Sequence, residues 1–371
     1  MLFLDILNTY KEFVPDMEFT VVSQVEAEGA ITTRWMATGR HYGCAGNLPP
    51  SGRSVSISGA FVVVQSGGRL KATIDFGIND FLREIGIDRQ TFNAQLGTKA
   101  TSLRIRAEKR VAGVAVLFVP PLNIPGWLNW RSCADLMKYE RPVVNVQLTS
   151  SRRSYARITN CEGYTISSET RALTEAVASV RCDGPFHVVG DSAGATVALD
   201  FTLTNRDRVL SLTLIEPSLL WLLRKLGKLD CDITSFYEKQ LRTFAGRVTE
   251  RKIIADLLQV GVFPNKQMAR MAARWKLILA YRHSLKYRPA LYVHDDDPVR
   301  LEAIVCPVLL VEGTTSARFY HEVIESLQSK LVNARHVRLP GGHGPHKQDM
   351  VAFTSMLREF LARSEEERAR L

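Results

Sequence analysis

Residues 184 to 202 read GPFHVVGDSAGATVALDFT. A short apolar run of the kind that fills a buried strand leads into Gly190-Asp191-Ser192-Ala193-Gly194, and apolar residues then resume at helical spacing. Small residues on both sides of a serine let the chain turn sharply from strand to helix, with the hydroxyl exposed at the tip. Such a turn needs a sheet to end on and a helix that packs back against it. Small residues also mark ordinary turns, so the pentapeptide gains meaning only if the rest of the chain supplies that sheet and a base for the serine.

The rest of the chain divides near Gly86. Before it, FTVVSQVEAEGAITTRWMATGRHYG and SVSISGAFVVVQSGGRLKATIDF are rich in Val, Ile and Thr and broken by Gly and Pro turns, which predicts antiparallel strands after a short helix-like start. DRQTFNAQLGTKATS reads as a connecting stretch. From about Thr98 strands and helices alternate, as expected of a mostly parallel sheet covered on both faces. VAVLFVP and RPVVNVQLTS give strands, and a helix with Leu173, Ala176, Val177 and Val180 on one side precedes FHVV. After the serine helix come VLSLTLIEP, a long helical insert, CPVLLVEG, a helix from about Phe319, ARHVRLP, the stretch GGHGPH and a closing helix. Ser192 therefore stands in a strand, turn, helix context, and His343 stands after the last strand, where strand ends gather.

On these residues the chain from about 99 to 364 resembles the α/β-hydrolases, which order their triad as nucleophile, acid, histidine. The resemblance implies a mostly parallel sheet with helices on both faces and a helical cap. It implies Ser192 as nucleophile and His343, in Gly342-His343, as its base, because a serine hydroxyl is a weak nucleophile until a positioned base takes its proton. His346, in the same loop, reads as a structural or pocket-lining residue, since two histidines without carboxylate or cysteine company make a poor metal site. No metal and no cofactor is expected.

The acid departs from the common pattern. Many relatives carry an aspartate after the strand equivalent to VLLVEG, but Gly313-Thr314-Thr315-Ser316 offers only hydroxyls. Other members place the acid after the preceding strand, which here ends in LIEPS, so Glu216 is the expected acid and Glu312 the second candidate. The oxyanion hole should combine the backbone N–H of Ala193 with one from the loop after VAVLFVP. Prolines 120 and 121 have no N–H to give, so the second donor is expected from Leu122 or Asn123.

The insert from about 218 to 298 occupies the place of the family's cap. Within it, Met268, Met271, Ala272, Trp275, Ile278 and Leu279 form a helical stripe, with Arg270 and Arg274 on the opposite side. The plain reading puts the stripe on the pocket and the arginines in water; the sharper one gives the arginines an anionic substrate group or an acidic carrier protein to bind. A net charge of +10 raises nucleic acid as a partner, but there is no nucleic-acid motif and the basic residues are dispersed apart from clusters near Arg104 to Arg110 and Arg270 to Arg288. No apolar stretch reaches the roughly 20 residues of a membrane span. The six cysteines lack any C-x-x-C pair, which fits reduced thiols in a cytoplasmic protein.

The first region resembles the SnoaL-like polyketide cyclases, a cone-shaped α+β fold akin to nuclear transport factor 2. The likeness rests on RWMATGRHYGCAGNLPPSGRSVSISG and GGRLKATIDF and covers about residues 1 to 88; 89 to 98 would be the linker, and 99 to 371 the hydrolase domain. The opening helical portion of that family is missing, so the domain is incomplete, and its acid and tryptophan on the last strand are here Ala72 and Ile74. Trp35, His41 and Asp75 could line a pocket and do acid–base work, but a degenerate binding or dimerisation module fits the departures better, with a homodimer through this domain as the expected partner arrangement.

The expected function is hydrolysis of an ester, thioester or lactone of a small or polyketide-like molecule, free or carrier-bound. The alternatives are a cyclase or acyltransferase of secondary metabolism using the same serine, and a non-catalytic binding scaffold, since a fold alone does not guarantee chemistry.

Overall fold

The structure is a computed structural model that describes residues 14, 16–27, 29–41, 52–66, 69–75, 84, 102–106, 113–124, 126–155, 161–179, 184–244, 246–271 and 275–370. The chain forms two compact units, Met1–Lys99 and Ala100–Leu371. The helix-like start, residues 49–51 of the Pro-Pro-Ser-Gly stretch in the first unit and the expected linker at 89 to 98 lie outside the described residues.

In the first unit β1 (Glu18–Ala27), β2 (Ala30–Arg40), β3 (Ser54–Ser66) and β4 (Arg69–Asp75) form an antiparallel sheet in that order. Alternation along β2 explains which face is covered: Thr33, Trp35 and Ala37 are buried together with Val55 and Ile57 of β3, while Arg34, Met36 and Thr38 between them are exposed. Edge strand β1 is exposed along its whole length, leaving Phe19, Val21, Val22 and Val25 uncovered.

The second unit is built on a seven-stranded sheet in the order β11-β10-β9-β8-β6-β7-β5. Its strands are β5 (Ser102–Arg106), β6 (Ala115–Val119), β7 (Val143–Gln147), β8 (Phe186–Asp191), β9 (Val209–Ile215), β10 (Val308–Gly313) and β11 (Ala334–Leu339). Six are parallel, and β5, an edge strand in a stretch partly read as connection, runs antiparallel to β7. Near-continuous apolar runs suit strands buried on both faces. Leu117, Val188, Leu214 and Leu310 face one core with Leu173, Val197 and Val323, whereas Phe118, Val189, Ile215 and Leu309 face the other with Trp130, Ala134 and Leu357. Helices Ile166–Ser179, Ala193–Thr204 and Arg318–Lys330 cover the first face, and Arg131–Met137 with Met350–Ala369 cover the second.

The strand order fixes where a site can form. From β6 the chain steps to β7 on one side, then returns to place β8 on the other side of β6. The connections leaving β6 and β8 therefore part company at the carboxyl ends of the strands, and open α/β sheets bind ligands in that crevice.

Between β9 and β10 lies the helical insert, with its own small core of Ile253, Ile254, Leu257, Trp275, Ile278 and Leu285. The expected stripe is corrected in one respect. The segment is two helices, Lys266–Met271 and Trp275–Ala280, and in the first of them Met268 is exposed while Ala269 is buried. Trp275 and Ile278 do face inward, Ala272 and Arg274 lie outside the described residues, and Arg270 pairs with Glu250 at 3.3 Å in solvent. Among the described residues no helix is long and apolar enough to cross a membrane.

Candidate active site

Ser192 directly follows β8 and occupies the N-cap position of the helix Ala193–Thr204, with φ 57° and ψ −121°. A residue with a Cβ rarely adopts this region, which costs about 1–3 kcal/mol and persists only where the surroundings enforce it. Here they do so through small residues. A Cβ on Gly190 would lie 2.5 Å from the Ala195 Cα, and one on Gly194 would lie 2.2 Å from the Pro120 carbonyl oxygen, so both positions need glycine for close approach. The Ser192 N–H donates to the Ile215 carbonyl at 2.8 Å, tying the turn to the end of β9.

Glu216 follows β9 and is the other non-glycine residue with positive φ among those described, at 45°. Its N–H donates to the Val311 carbonyl at 3.1 Å. This turn carries a fully buried carboxylate, which accepts from the Gly313 N–H at 2.8 Å and the Gly344 N–H at 3.0 Å. His343 sits in the loop after β11 with its N–H donating to the Gly261 carbonyl of the insert at 3.2 Å, a fit so close that a Cβ on Gly342 would come within 2.0 Å of that oxygen.

These three connections bring three side chains into line. His343 Nδ1 is 2.7 Å from Glu216 Oε2, and His343 Nε2 is 2.8 Å from Ser192 Oγ. A proton on Nδ1 donated to the carboxylate leaves Nε2 to accept from the serine hydroxyl. Burial would raise the Glu216 pKa, but the hydrogen bond and charge of His343, with the Gly313 N–H, hold it below the usual carboxylate range. Glu312 is engaged elsewhere: it ion-pairs with Arg338 and lies 3.0 Å from His336 Nε2 and 2.8 Å from His321 Nδ1.

The cavity in front of Ser192 has a volume of about 60 Å³. Leu122 and Ala193, the residues expected to give oxyanion N–H groups, line it beside Ser192 and His343, as does Asn123. Cap residues Leu257, Ile278 and Leu291 form much of the apolar wall, and Arg288, Tyr292, Tyr320 and Lys347 also line it. Arg288 is anchored by Gln240 Oε1 at 2.6 Å and by an ion pair with Asp256, whose complete burial pushes its carboxyl up.

Behind the serine lies a cluster that sequence reading touched only in part. Asp191 is buried, accepts from Asn129 Nδ2 at 3.1 Å and pairs with Lys347 Nζ at 2.7 Å. Burial works against this carboxylate, but the Lys347 ammonium holds it well below its usual range. His346 is buried 3.5 Å from Asp191 and stacks on Trp130 with ring centroids 5.0 Å apart, and burial pushes its pKa down to about 3. It is a neutral packing residue. Asp191 occupies the variable position of the motif, and only its spacing before Ser192 could have signalled a role. Among the described residues, Asp200, His294 and Asp296 could together approach a metal ion, but Asp296 already holds Arg300 at 2.6 Å.

In the first unit Trp35 and His41 are buried, and Trp35 packs against Phe19 with centroids 5.5 Å apart. Asp75 pairs in register with Ala60, which in turn pairs with Arg34; its side chain lies outside the described ones.

Comparison with known proteins separates the same two regions. Residues 2–77 match the SnoaL-like polyketide cyclase family. A serine hydrolase-like protein of Dictyostelium discoideum is 30% identical over 81 residues, which are 20% of this chain, and the chain spans about a quarter of that relative's length, 23%. Among solved structures, the chain is similar to a putative lipase of Acinetobacter baumannii, with TM-score 0.57 and 19% identity over 76% of this chain and 98% of that one. An esterase of Thermogutta terrifontis gives TM-score 0.54 and 17% identity, covering 71% and 93%. The enol-lactonase of Burkholderia xenovorans gives 0.53 and 15%, covering 71% and 96%. Identities this low are likenesses of fold. The chain thus joins a SnoaL-like segment at its amino end to a unit with the α/β-hydrolase fold.

Proposed function

We propose that the second unit is a serine hydrolase that cleaves an ester, thioester or lactone. The observation that carries this reading is the unbroken line from Glu216 Oε2 through His343 to Ser192 Oγ, with separations of 2.7 and 2.8 Å, at a serine held in an unfavourable backbone conformation. Strain concentrated at a cleft is what a site held for chemistry would show. In this mechanism Ser192 Oγ attacks the carbonyl carbon as His343 Nε2 takes its proton. Glu216 holds the ring through Nδ1–H and stabilises the imidazolium. The Ala193 and Leu122 N–H groups receive the oxyanion, His343 returns the proton to the departing alcohol or thiol, and water repeats the sequence on the acyl-enzyme.

The cavity supports a short acyl group. Ligand pockets usually measure about 300–1,000 Å³, well above the 60 Å³ present here. Hydrolysis of p-nitrophenyl acetate against the octanoate tests both points together. Turnover of the acetate is expected, lost in Ser192→Ala, with a fall of at least tenfold in kcat/KM for the longer ester. Acetate turnover surviving in Ser192→Ala would overturn the assignment.

For the first unit we propose a binding or dimerisation module, supported by the uncovered Phe19, Val21, Val22 and Val25 on its edge strand. The substrate is proposed to be a small molecule, free or carrier-bound. A reducing, cytoplasmic setting is proposed from the sequence, whose six cysteines are scattered without any C-x-x-C pair.

A further inference from the structure

We propose that Tyr320 is a positioning residue for His343, its ring face fixing the imidazole plane and stabilising the imidazolium that forms when Ser192 gives up its proton. This rests on the hydrolase reading above. The two rings lie nearly parallel, with centroids 4.1 Å apart and planes 17° from coincidence. Tyr320 is buried, and its N–H donates to the Ala317 carbonyl at 2.9 Å. It enters from the helix Arg318–Lys330, directly after the Gly313 to Ser316 loop that carries no carboxylate. The segment that in many relatives supplies the acid here supplies an aromatic face.

Other rings limit how far that face can turn. Phe319 meets Tyr320 edge-on at 5.1 Å, Phe236 meets it edge-on at 6.5 Å, and Phe236 and Phe319 stack at 5.3 Å. Phe236 belongs to the insert helix Cys231–Phe244, so the stack runs from cap to imidazole. A ring face attracts a cation through its quadrupole and gains much less from a neutral ring. The stabilisation therefore grows as charge develops on His343, which is the condition for an interaction to raise kcat. During that step the proton passes from Ser192 Oγ to Nε2, and Nδ1–H stays with Glu216.

Several other charged groups influence the same imidazole. Glu216 holds Nδ1, the carboxylates of Asp191 and Asp256 act on it through space, His346 lies in the same loop, and Arg288 and Lys347 share the cavity wall. All of these are retained when only residue 320 is changed, so a series at that position isolates the ring.

The experiment is the pH dependence of p-nitrophenyl acetate hydrolysis by the full chain and by Y320L, Y320F and S192A. Rates of the full chain and of the Tyr320 variants are normalised to the Ser192 groups titrated by a fluorophosphonate burst, so that misfolded protein is not counted; S192A, which has no such group, is normalised to total protein shown folded by circular dichroism. Y320L should lose about tenfold in kcat with KM within about twofold, and the acidic limb of kcat/KM should move down by roughly half a unit to one unit. Y320F, which keeps the face and loses the hydroxyl, should restore both; if Y320L does not fold, Y320M fills the space without a face and is read in its place. An unmoved limb in Y320L, or a Y320F that falls as far as Y320L, overturns the proposal. Turnover retained in S192A would instead overturn the hydrolase reading, whatever Tyr320 does.

Discussion

Among the described residues of the second unit, two constellations of serine, histidine and glutamate lie toward opposite ends of the strands. One is Ser192, His343 and Glu216 at the carboxyl ends. In the other, Ser211 Oγ lies 2.8 Å from His187 Nδ1, and His187 Nε2 lies 3.0 Å from Glu365 Oε1, which also pairs with Arg141 at 2.6 Å. By residue type and distance the two are nearly alike, and their surroundings set them apart. His187 and Ser211 are register partners within β8 and β9, beside a register shift between Phe186 and His187, both are fully buried, and Ser211 does not line the cavity in front of Ser192. The ring is also turned round, so that Nδ1 faces the serine. Ser192 sits on a turn of positive φ at the wall of a cavity, with Nε2 facing it. Access and a held backbone, more than the three side chains, separate a candidate nucleophile from a hydrogen-bonded core.

The sharpest break in this comparison is kinetic. Ser192→Ala or His343→Ala should lower kcat for an ester by on the order of 10⁶, and the double variant should lose little more, because the two act as one unit. Ser211→Ala should leave turnover within a few-fold. Additive losses at Ser192 and His343, or a collapse of activity in a folded Ser211→Ala, would undo the distinction.

Next in size is the acid. Glu216→Gln should keep the fold and cut kcat by up to about 10⁴, the scale of a triad acid neutralised in place. Glu312→Gln should leave kcat nearly unchanged, since Glu312 serves Arg338, His336 and His321. Steady-state rates at one pH, with circular dichroism to confirm folding, decide between them.

The buried constellation should show itself in stability. Burial holds His187 down to about 4, against about 6.5 for a free imidazole, so between those values the unfolded chain binds a proton that the folded chain does not. Its contribution is therefore complete above pH 6.5 and is lost as pH falls toward 4. Denaturant unfolding of the full chain should lose stability faster over that window than His187→Gln, by about 1.4 kcal/mol per pH unit and on the order of 3 kcal/mol in total. Parallel curves would contradict it. The smallest effect is that of Ser211→Ala itself, about 1 kcal/mol for a lost buried hydrogen bond, read from the same unfolding curves.

How much of this was legible in the sequence depends on the range of the forces involved. The strands around Ser192 announce themselves locally, because VAVLFVP, FHVVGD and VLSLTLIE are apolar runs bounded by turn residues. Glu216 as a candidate rests on the family resemblance: the loop after VLLVEG holds no carboxylate, and other α/β-hydrolases carry the acid after the preceding strand, which here ends in LIEPS. The stripe through Met268 was misphased because a single helical period was carried across what are two helices, Lys266–Met271 and Trp275–Ala280. Contacts between distant segments left no local trace. Tyr320 on His343, Arg288 on Asp256 and His187 on Glu365 are brought together by cap and sheet packing, and no periodicity encodes which ring faces which.

Covalent labelling reads directly whether Ser192 is an activated serine. The folded full chain is treated with a fluorophosphonate probe, and the modified peptide is identified by mass spectrometry. One adduct is expected, on Ser192, that disappears in Ser192→Ala and His343→Ala and persists in Ser211→Ala. A folded protein that gives no adduct on Ser192, or whose labelling survives in Ser192→Ala, would contradict it.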